Sequence, residues 1–526
     1  MNIEVMEDTN SMGALWKLLK WLTSRVFVVC VLLLLQASFI FVLIYINSDL
    51  RWIRVGLNVL SIIIILYIFN KQGSPSGKLP WVLLVAAIPI IGVPFYLMCG
   101  NSDVHVKYKK SLAKSLEQTV SLHVQDEETA TSLEKKNLVR SRESDYIYNT
   151  TRMPVHKNTK ATYFDCGEGV WHEMLNRLSN AKHFIFMEFF IIDEGKMWGA
   201  ILDILKQKVK EGVEIRLMYD DIGCVNTLPN GYNKYLNSLG IDCVVFNPFH
   251  PILTVGHNYR DHRKICVIDG YIGFTGGINL ADEYINEIER FGHWKDSAIM
   301  LEGEGVWNQT IGFLENWDFT KKIRSDFSKY GPYVYHPESF ASDADGYVQA
   351  FSDNPLDSEL VGQGVYMNII NNATKYVYIT TPYLIVDHEL QTSICLAAKR
   401  GVDVRIVTPG IPDKWYAYLV TRGYYQVFIE AGVKIYEYTP GFIHAKNFLS
   451  DDEVAVCGTI NMDYRSLYHH FENACWIYEG EAITQMKDDF MKTFEVSKIV
   501  ELEWCKNRPL LVRLLQSIFK VFSPLM

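Results

Sequence analysis

The chain has 526 residues, 49% of them hydrophobic and 13% aromatic, enough apolar material for a membrane region plus two or three packed domains. Its 51 basic and 60 acidic side chains leave a formal charge of −9. A general nucleic-acid binder would carry a basic footprint instead, so no nucleic-acid partner is expected. The ten cysteines form no C-x-x-C pair and no zinc-like spacing, which predicts free, mostly buried thiols in a reducing compartment and no metal site.

The chain opens with a membrane region at 1–100. Residues 26–46 are apolar apart from Gln36 and Ser38, and such a helix reaches about 31 Å, enough to cross the hydrocarbon core. A shorter apolar run covers 55–69, and a third, 79–99, contains Pro80, Pro89 and Pro94. Two or three transmembrane helices are predicted, three preferred, making a multi-pass membrane protein. Lys107, Lys109, Lys110 and Lys114 follow the last run; with the free thiols they favour a cytoplasmic catalytic part. Residues 101–154 are polar and charged and read as a juxtamembrane helix and linker.

The remainder is an internal repeat. "AKHFIFMEFFIID" from Ala181 resembles "ATKYVYITTPYLIVD" from Ala373, and "KEGVEIRLMYDD" from Lys210 matches "KRGVDVRIVTPG" from Lys399. Strand-like runs alternate with helical patterns in each half, predicting βαβ units and a sheet covered on both faces. The expected fold class is α/β: two duplicated domains, 155–340 and 341–500, forming a pseudo-dimer within one chain. A tail at 501–526 places Leu510, Leu511, Leu514, Leu515, Ile518 and Phe519 among Arg508, Arg513 and Lys520, an amphipathic pattern.

Each half ends in the same cluster. The first is His262-x-Lys264-x4-Asp269 followed by Asn279; the second is His444-x-Lys446-x4-Asp451 followed by Asn461. The distances agree in both copies: two residues from His to Lys, five to Asp, ten to Asn. Residues two apart on a strand share a face, so each histidine and lysine project together. Asp269-Gly270 and Asp451-Asp452 read as tight turns whose following strand returns the Asn beside the pair.

Two lysines and two histidines converging in one cleft suit a phosphodiester. The lysines would stabilise charge on non-bridging oxygens. One imidazole attacks phosphorus to give a phosphohistidine; the other protonates the departing alcohol and then activates the incoming nucleophile. Asn279 and Asn461 add hydrogen bonds to phosphate oxygens. A nucleophilic histidine needs an acceptor on its other nitrogen. Asp296 and Glu472, 34 and 28 residues beyond the histidine of their own half, are the candidates. Asp269 and Asp451 are counted with the catalytic set, although a turn-holding role fits them nearly as well. His250, His257, His293, His469 and His470 read as structural or substrate-rim groups, and the aromatic stretch around Glu188 as core, with Glu188 at a strand end able to reach the cleft. No metal and no cofactor are expected.

The paired motifs resemble the phospholipase D superfamily. The apolar N-terminus with "LPWVLLVAAIPIIGVPFYLMCG", the phrases "MEFFIID", "YDDIG", "TPYLIVD" and "GTINMDYRSL", and the closing "RPLLVRLLQSIFKVFSPLM" are similar to its bacterial cardiolipin synthase branch. That resemblance implies two phospholipase D-like domains and a bacterial cell membrane location. It also implies transfer of a phosphatidyl group from one phosphatidylglycerol to another, giving cardiolipin and glycerol. It would make His262 the nucleophile and His444 the acid/base. A hydrolytic phospholipase D, or another phosphatidyltransferase of the superfamily, is the alternative.

Overall fold

The computed structural model describes residues 38, 51–71, 75–100, 109, 119–249, 258–336, 344–357 and 359–525. The chain divides into two compact units, 1–103 with 250–255, and 104–249 with 256–526. The expected span at 26–46 lies outside the described residues, Ser38 excepted.

The N-terminal unit departs from the predicted spans. Among the described residues no helix is long and apolar enough to cross a membrane. Arg51–Asn70 is one helix, but the 15 apolar-rich residues 55–69 within it reach only about 22 Å against a hydrocarbon core of about 30 Å. The run at 79–99 is two helices, Pro75–Ala87 and Pro89–Cys99, of 13 and 11 residues. Pro89 has no N–H to continue the first helix and opens the second, after Ile88 leaves helical geometry at φ −137°. The three helices close on Ile64, Ile68, Val85, Val93 and Tyr96. Gly92 permits this approach, since a Cβ there would lie 2.5 Å from the Leu84 carbonyl oxygen.

The second unit holds two sheets of one topology. The first sheet runs Thr159–Phe164, Ala298–Gly303, Ile272–Gly276, Lys264–Ile268, Phe184–Phe189, Glu214–Asp220, Asp242–Phe246. The second runs Tyr347–Asp353, His470–Tyr478, Val454–Gly458, Asn447–Ser450, Tyr376–Thr380, Asp403–Pro409, Lys434–Tyr438, with Ser497–Ile499 added at its edge. Each is mixed rather than purely βαβ. Phe184–Phe189, Glu214–Asp220 and Asp242–Phe246 are parallel, whereas the motif strand Lys264–Ile268 and its neighbours are antiparallel. Short Asp-led turns, with Asp269 at φ 54° and Asp451 at φ 59°, allow those hairpins without a crossover helix.

Both faces of the sheets are covered, as expected. Gly167–Ser179 and Lys196–Lys210 pack on one face of the first sheet. The helices Val306–Lys321 and Glu481–Glu495 lie in the interior between the sheets, where Phe313 stacks on Phe186 at 4.8 Å and Phe494 meets Tyr378 edge-on at 5.0 Å. The other faces share one core, in which Phe186, Val267 and Leu301 meet Tyr378, Leu449 and Cys475. The pseudo-dimer is therefore built around a common interior.

The 101–154 region is not a linker throughout. Glu127–Lys136 and Leu138–Thr151 are helices, and Asn137 caps the second by accepting from the Val139 and Arg140 amides. The second buries Ile147 and a 2.7 Å Arg140–Glu143 ion pair within the catalytic unit. Cys224, Cys243, Cys266, Cys457, Cys475 and Cys505 are buried free thiols; Cys166 and Cys395 are half-buried and also free.

Candidate active site

Two short strands bring the motifs together. Arg260–Asp261, just before His262, leaves its own half and pairs with His470–Phe471 of the second half. Gly441–Ile443, just before His444, pairs reciprocally with His293–Lys295 of the first half. The exchange continues into the histidines. The His262 amide donates to the Phe471 carbonyl at 2.9 Å, and the His444 amide to the Lys295 carbonyl at 2.7 Å.

The orienting acids are crossed in the same way. Nδ1 of His262 lies 2.9 and 3.0 Å from the two carboxylate oxygens of Glu472. Nδ1 of His444 lies 2.7 Å from Asp296 Oδ2. Each histidine thus uses the acid of the other half, not the one downstream in its own half. Carboxylates only accept, so Nδ1 carries the proton and Nε2 keeps its lone pair. Both acids are fully buried. Glu472 also accepts from the Thr459 and Ser466 hydroxyls, and Asp296 from the Ser297 amide at 2.9 Å.

Both imidazoles line one cavity of about 500 Å³, together with Asn279, Asn461, Phe190, Tyr284, Trp294 and His470. Phe190 meets His262 edge-on at 5.1 Å, and Tyr284 meets His444 edge-on at 5.5 Å, fixing the ring planes. Asn279 is held by Tyr284 and the Ile191 amide. Asn461 keeps a buried Oδ1 without a hydrogen-bond partner.

Lys264 and Lys446 stand behind the histidines rather than in the cavity wall. Lys264 Nζ donates to the His262 carbonyl at 2.6 Å, and Lys446 Nζ to that of His444. Burial pushes Lys264 down to about 7 and Lys446 to about 8, despite the nearby acids. Burial, reinforced by Lys446, takes His444 down to about 4 against the pull of Asp296. Burial and Lys264 likewise drive His262 well below its ordinary value. Burial alone would raise Asp296, but His444 and Lys446 outweigh it and hold the carboxyl below the ordinary range. Burial is the main cause of these shifts, and at both histidines the neighbouring lysines add to it, favouring a neutral ring with a free Nε2.

Asp269 and Asp451 lie elsewhere, about 16 Å along the motif strands from their lysines, and neither lines the cavity. Asp269 accepts from the Lys182, His183 and Phe184 amides at 2.8, 2.8 and 2.9 Å. Asp451 accepts from Thr374, Lys375 and Tyr376 at 2.7, 2.8 and 2.8 Å. Each ties the motif hairpin to the start of the adjacent strand, the turn-holding role. Glu188 does not reach the cavity either. It is buried beneath the sheet on Asn316 at 2.7 Å, with Arg263 at 3.7 Å.

This geometry has close relatives. A family profile described as cardiolipin synthase, phospholipase D-like domain, matches residues 174–298 and 366–494. A second, described as phospholipase D-nuclease N-terminal, matches 57–101. A cardiolipin synthase of Alkalihalophilus pseudofirmus is 33% identical over 89% of this chain and 92% of its own length. One from Bacillus anthracis is 32% identical over 87% and 91%. The chain belongs to the cardiolipin synthase family. Members are phosphatidyltransferases of phospholipid biosynthesis, and this chain is one of them. An uncharacterized Streptococcus mutans protein is 45% identical over 88% of this chain and 99% of its own length. The crystal structure of a Haemophilus influenzae phosphatidylserine synthase shares the fold, with TM-score 0.56 and 15% identity over 74% of this chain and 100% of its own.

His470, read from sequence as a structural or substrate-rim group, lines the cavity with its ring 5.4 Å from that of His262. Both its nitrogens are buried without a hydrogen-bond partner, and burial pushes it down to about 3. Its adjacency to Glu472 in sequence was the available signal. His262, His470 and Glu472 offer ligand atoms within 4.8 Å of one another. A cation held there would compete with the His262–Glu472 hydrogen bond.

Proposed function

We propose that the chain converts two phosphatidylglycerols into cardiolipin and glycerol through a phosphohistidine. Nε2 of His262 attacks phosphorus of the first lipid, and the P–O bond to its headgroup glycerol breaks. The bound phosphodiester anion favours the imidazolium of His444, which takes up a proton from solvent on Nε2 and gives that proton to the departing oxygen while Nδ1–H stays on Asp296. His444 then takes the proton of the second lipid's terminal hydroxyl, whose oxygen attacks phosphorus and frees His262. Glu472 and Asp296 hold the rings in the required tautomer and stabilise whichever imidazole becomes cationic. Lys264 and Lys446 raise the positive potential behind the phosphate, acting through a dry layer where charge is weakly screened. Assignment of the attack to His262 follows the family resemblance.

The observation that carries this reading is the cavity wall itself. Two imidazoles, each on a buried carboxylate of the opposite half, face one space with two lysines behind them. Asp269 and Asp451 act through the fold rather than on substrate. Transfer to an alcohol rather than water requires a dry, oriented acceptor, and the ring-lined walls supply it.

The chain works at the bacterial membrane, its catalytic unit on the cytoplasmic side. In the N-terminal unit Trp52, Ile62, Ile63, Leu66, Phe69 and Leu97 are exposed, a surface suited to lipid. Incubation of purified protein with headgroup-labelled phosphatidylglycerol tests the reaction. Cardiolipin with stoichiometric free glycerol is expected; phosphatidic acid alone would make the enzyme a hydrolase.

A further inference from the structure

The C-terminal helix Leu510–Val521 is unusual in burying none of its side chains. Gln516 and Phe519 turn inward onto the helix Trp415–Glu430: Gln516 Nε2 donates to the Leu419 carbonyl at 3.1 Å, and the Phe519 ring meets Trp415 edge-on at 5.6 Å. Lys520 Nζ sits 3.9 Å from the Tyr424 ring centre. Leu510, Leu511, Leu514, Leu515, Ile518 and Phe522 do not share that contact and are between 37% and 82% exposed. Their spacing places them on one face of the helical segment. A contiguous apolar face of this kind on a folded surface marks an interaction site.

Three features identify what it meets. Residues 504–526 contain no acidic residue; Arg508 donates to the Arg422 carbonyl and Lys520 sits over Tyr424, while Lys506 and Arg513 are exposed and flank the apolar face with positive charge. A second copy of the chain docked face to face would bring two such cationic segments together, which disfavours self-association. Finally, Trp415, 66% exposed, extends the apolar surface from Phe519 to Lys414 and Tyr416, which line the active-site cavity.

We propose that this face lies in the headgroup layer of an anionic bilayer, leucines toward the acyl chains and cations at the phosphates. It holds the cavity mouth against the leaflet, so that a phospholipid enters the site without crossing water. The proposal rests on the phospholipid-substrate reading above, and its test separates the two.

Full-length protein carrying p-benzoylphenylalanine at position 511 or 514 is reconstituted in vesicles of equal parts phosphatidylglycerol and phosphatidylcholine, then irradiated. Cross-links to lipid are expected, with lower yield in pure phosphatidylcholine. Cross-links to a second copy, or to another segment of the same chain, overturn the proposal. In parallel, the variant Leu511→Glu/Leu514→Glu should lose at least about fivefold in turnover on vesicles. It should keep normal turnover on short-chain phosphatidylglycerol in detergent; equal loss in both assays also overturns the proposal. If the unmodified enzyme makes no cardiolipin at all, the functional reading fails, and the cross-linking result alone still decides the docking surface.

Discussion

At the scale of residues, the decisive feature is that each histidine depends on an acid from the other half. Glu472→Gln should cost about two to four orders of magnitude in kcat, because His262 loses its orienting carboxylate. Asp296→Asn should be comparably slow with phosphatidylglycerol, yet in the first turnover it should largely recover the release of an activated phenol leaving group, a step that needs no proton from His444. Equal loss of both variants on the activated substrate would contradict these roles. The lysines predict a pH limb. Above about 7 to 8, Lys264 and then Lys446 lose their protons in the unliganded enzyme, removing positive charge, so kcat/KM should fall with rising pH. A profile flat to about pH 10, the ordinary lysine range, would rule this out. Buried charge is also costly to the fold. Lys264→Met should raise the melting temperature by about 1–3 °C in calorimetry while abolishing transfer.

At the scale of elements, the motif hairpins are held by Asp269 and Asp451. Asp451→Ala removes the acceptor of three strand-initiating amides and should cost about 2–3 kcal/mol, read by denaturant unfolding. Burial would raise the Asp451 carboxyl, but those amides outweigh it and hold it below the ordinary carboxylate range. Its contribution is therefore present above the unfolded value near pH 4 and is lost as pH falls through the lower folded value. The His-x-Lys-x4-Asp spacing displayed these residues in sequence. Their separation into two jobs followed only from the strand's length, which puts the aspartate at the opposite end from the lysine. In the N-terminal unit, the prolines at 80, 89 and 94 were visible, but one continuous span was expected; the break falls at Pro89, which has no N–H to continue the first helix and opens the second.

At the scale of the whole molecule, the two halves share an interior and exchange strands. They should therefore unfold together. Hydrogen exchange in rising denaturant is expected to release the amides of Phe184–Phe189 and Tyr376–Thr380 with one common free energy. Separate release of one half would show that the common core is not cooperative.

The sequence by itself determined the duplication, the four motif residues, the acids Asp296 and Glu472, and the family, because these are local spacings repeated in register. Tertiary structure decided which acid serves which histidine, that His470 faces the cavity and Glu188 does not, and that the sheets pack on each other. Those outcomes depend on pairings between segments up to 210 residues apart. Local spacing along a strand fixes the face on which a side chain lies but not the partner strand that face will meet.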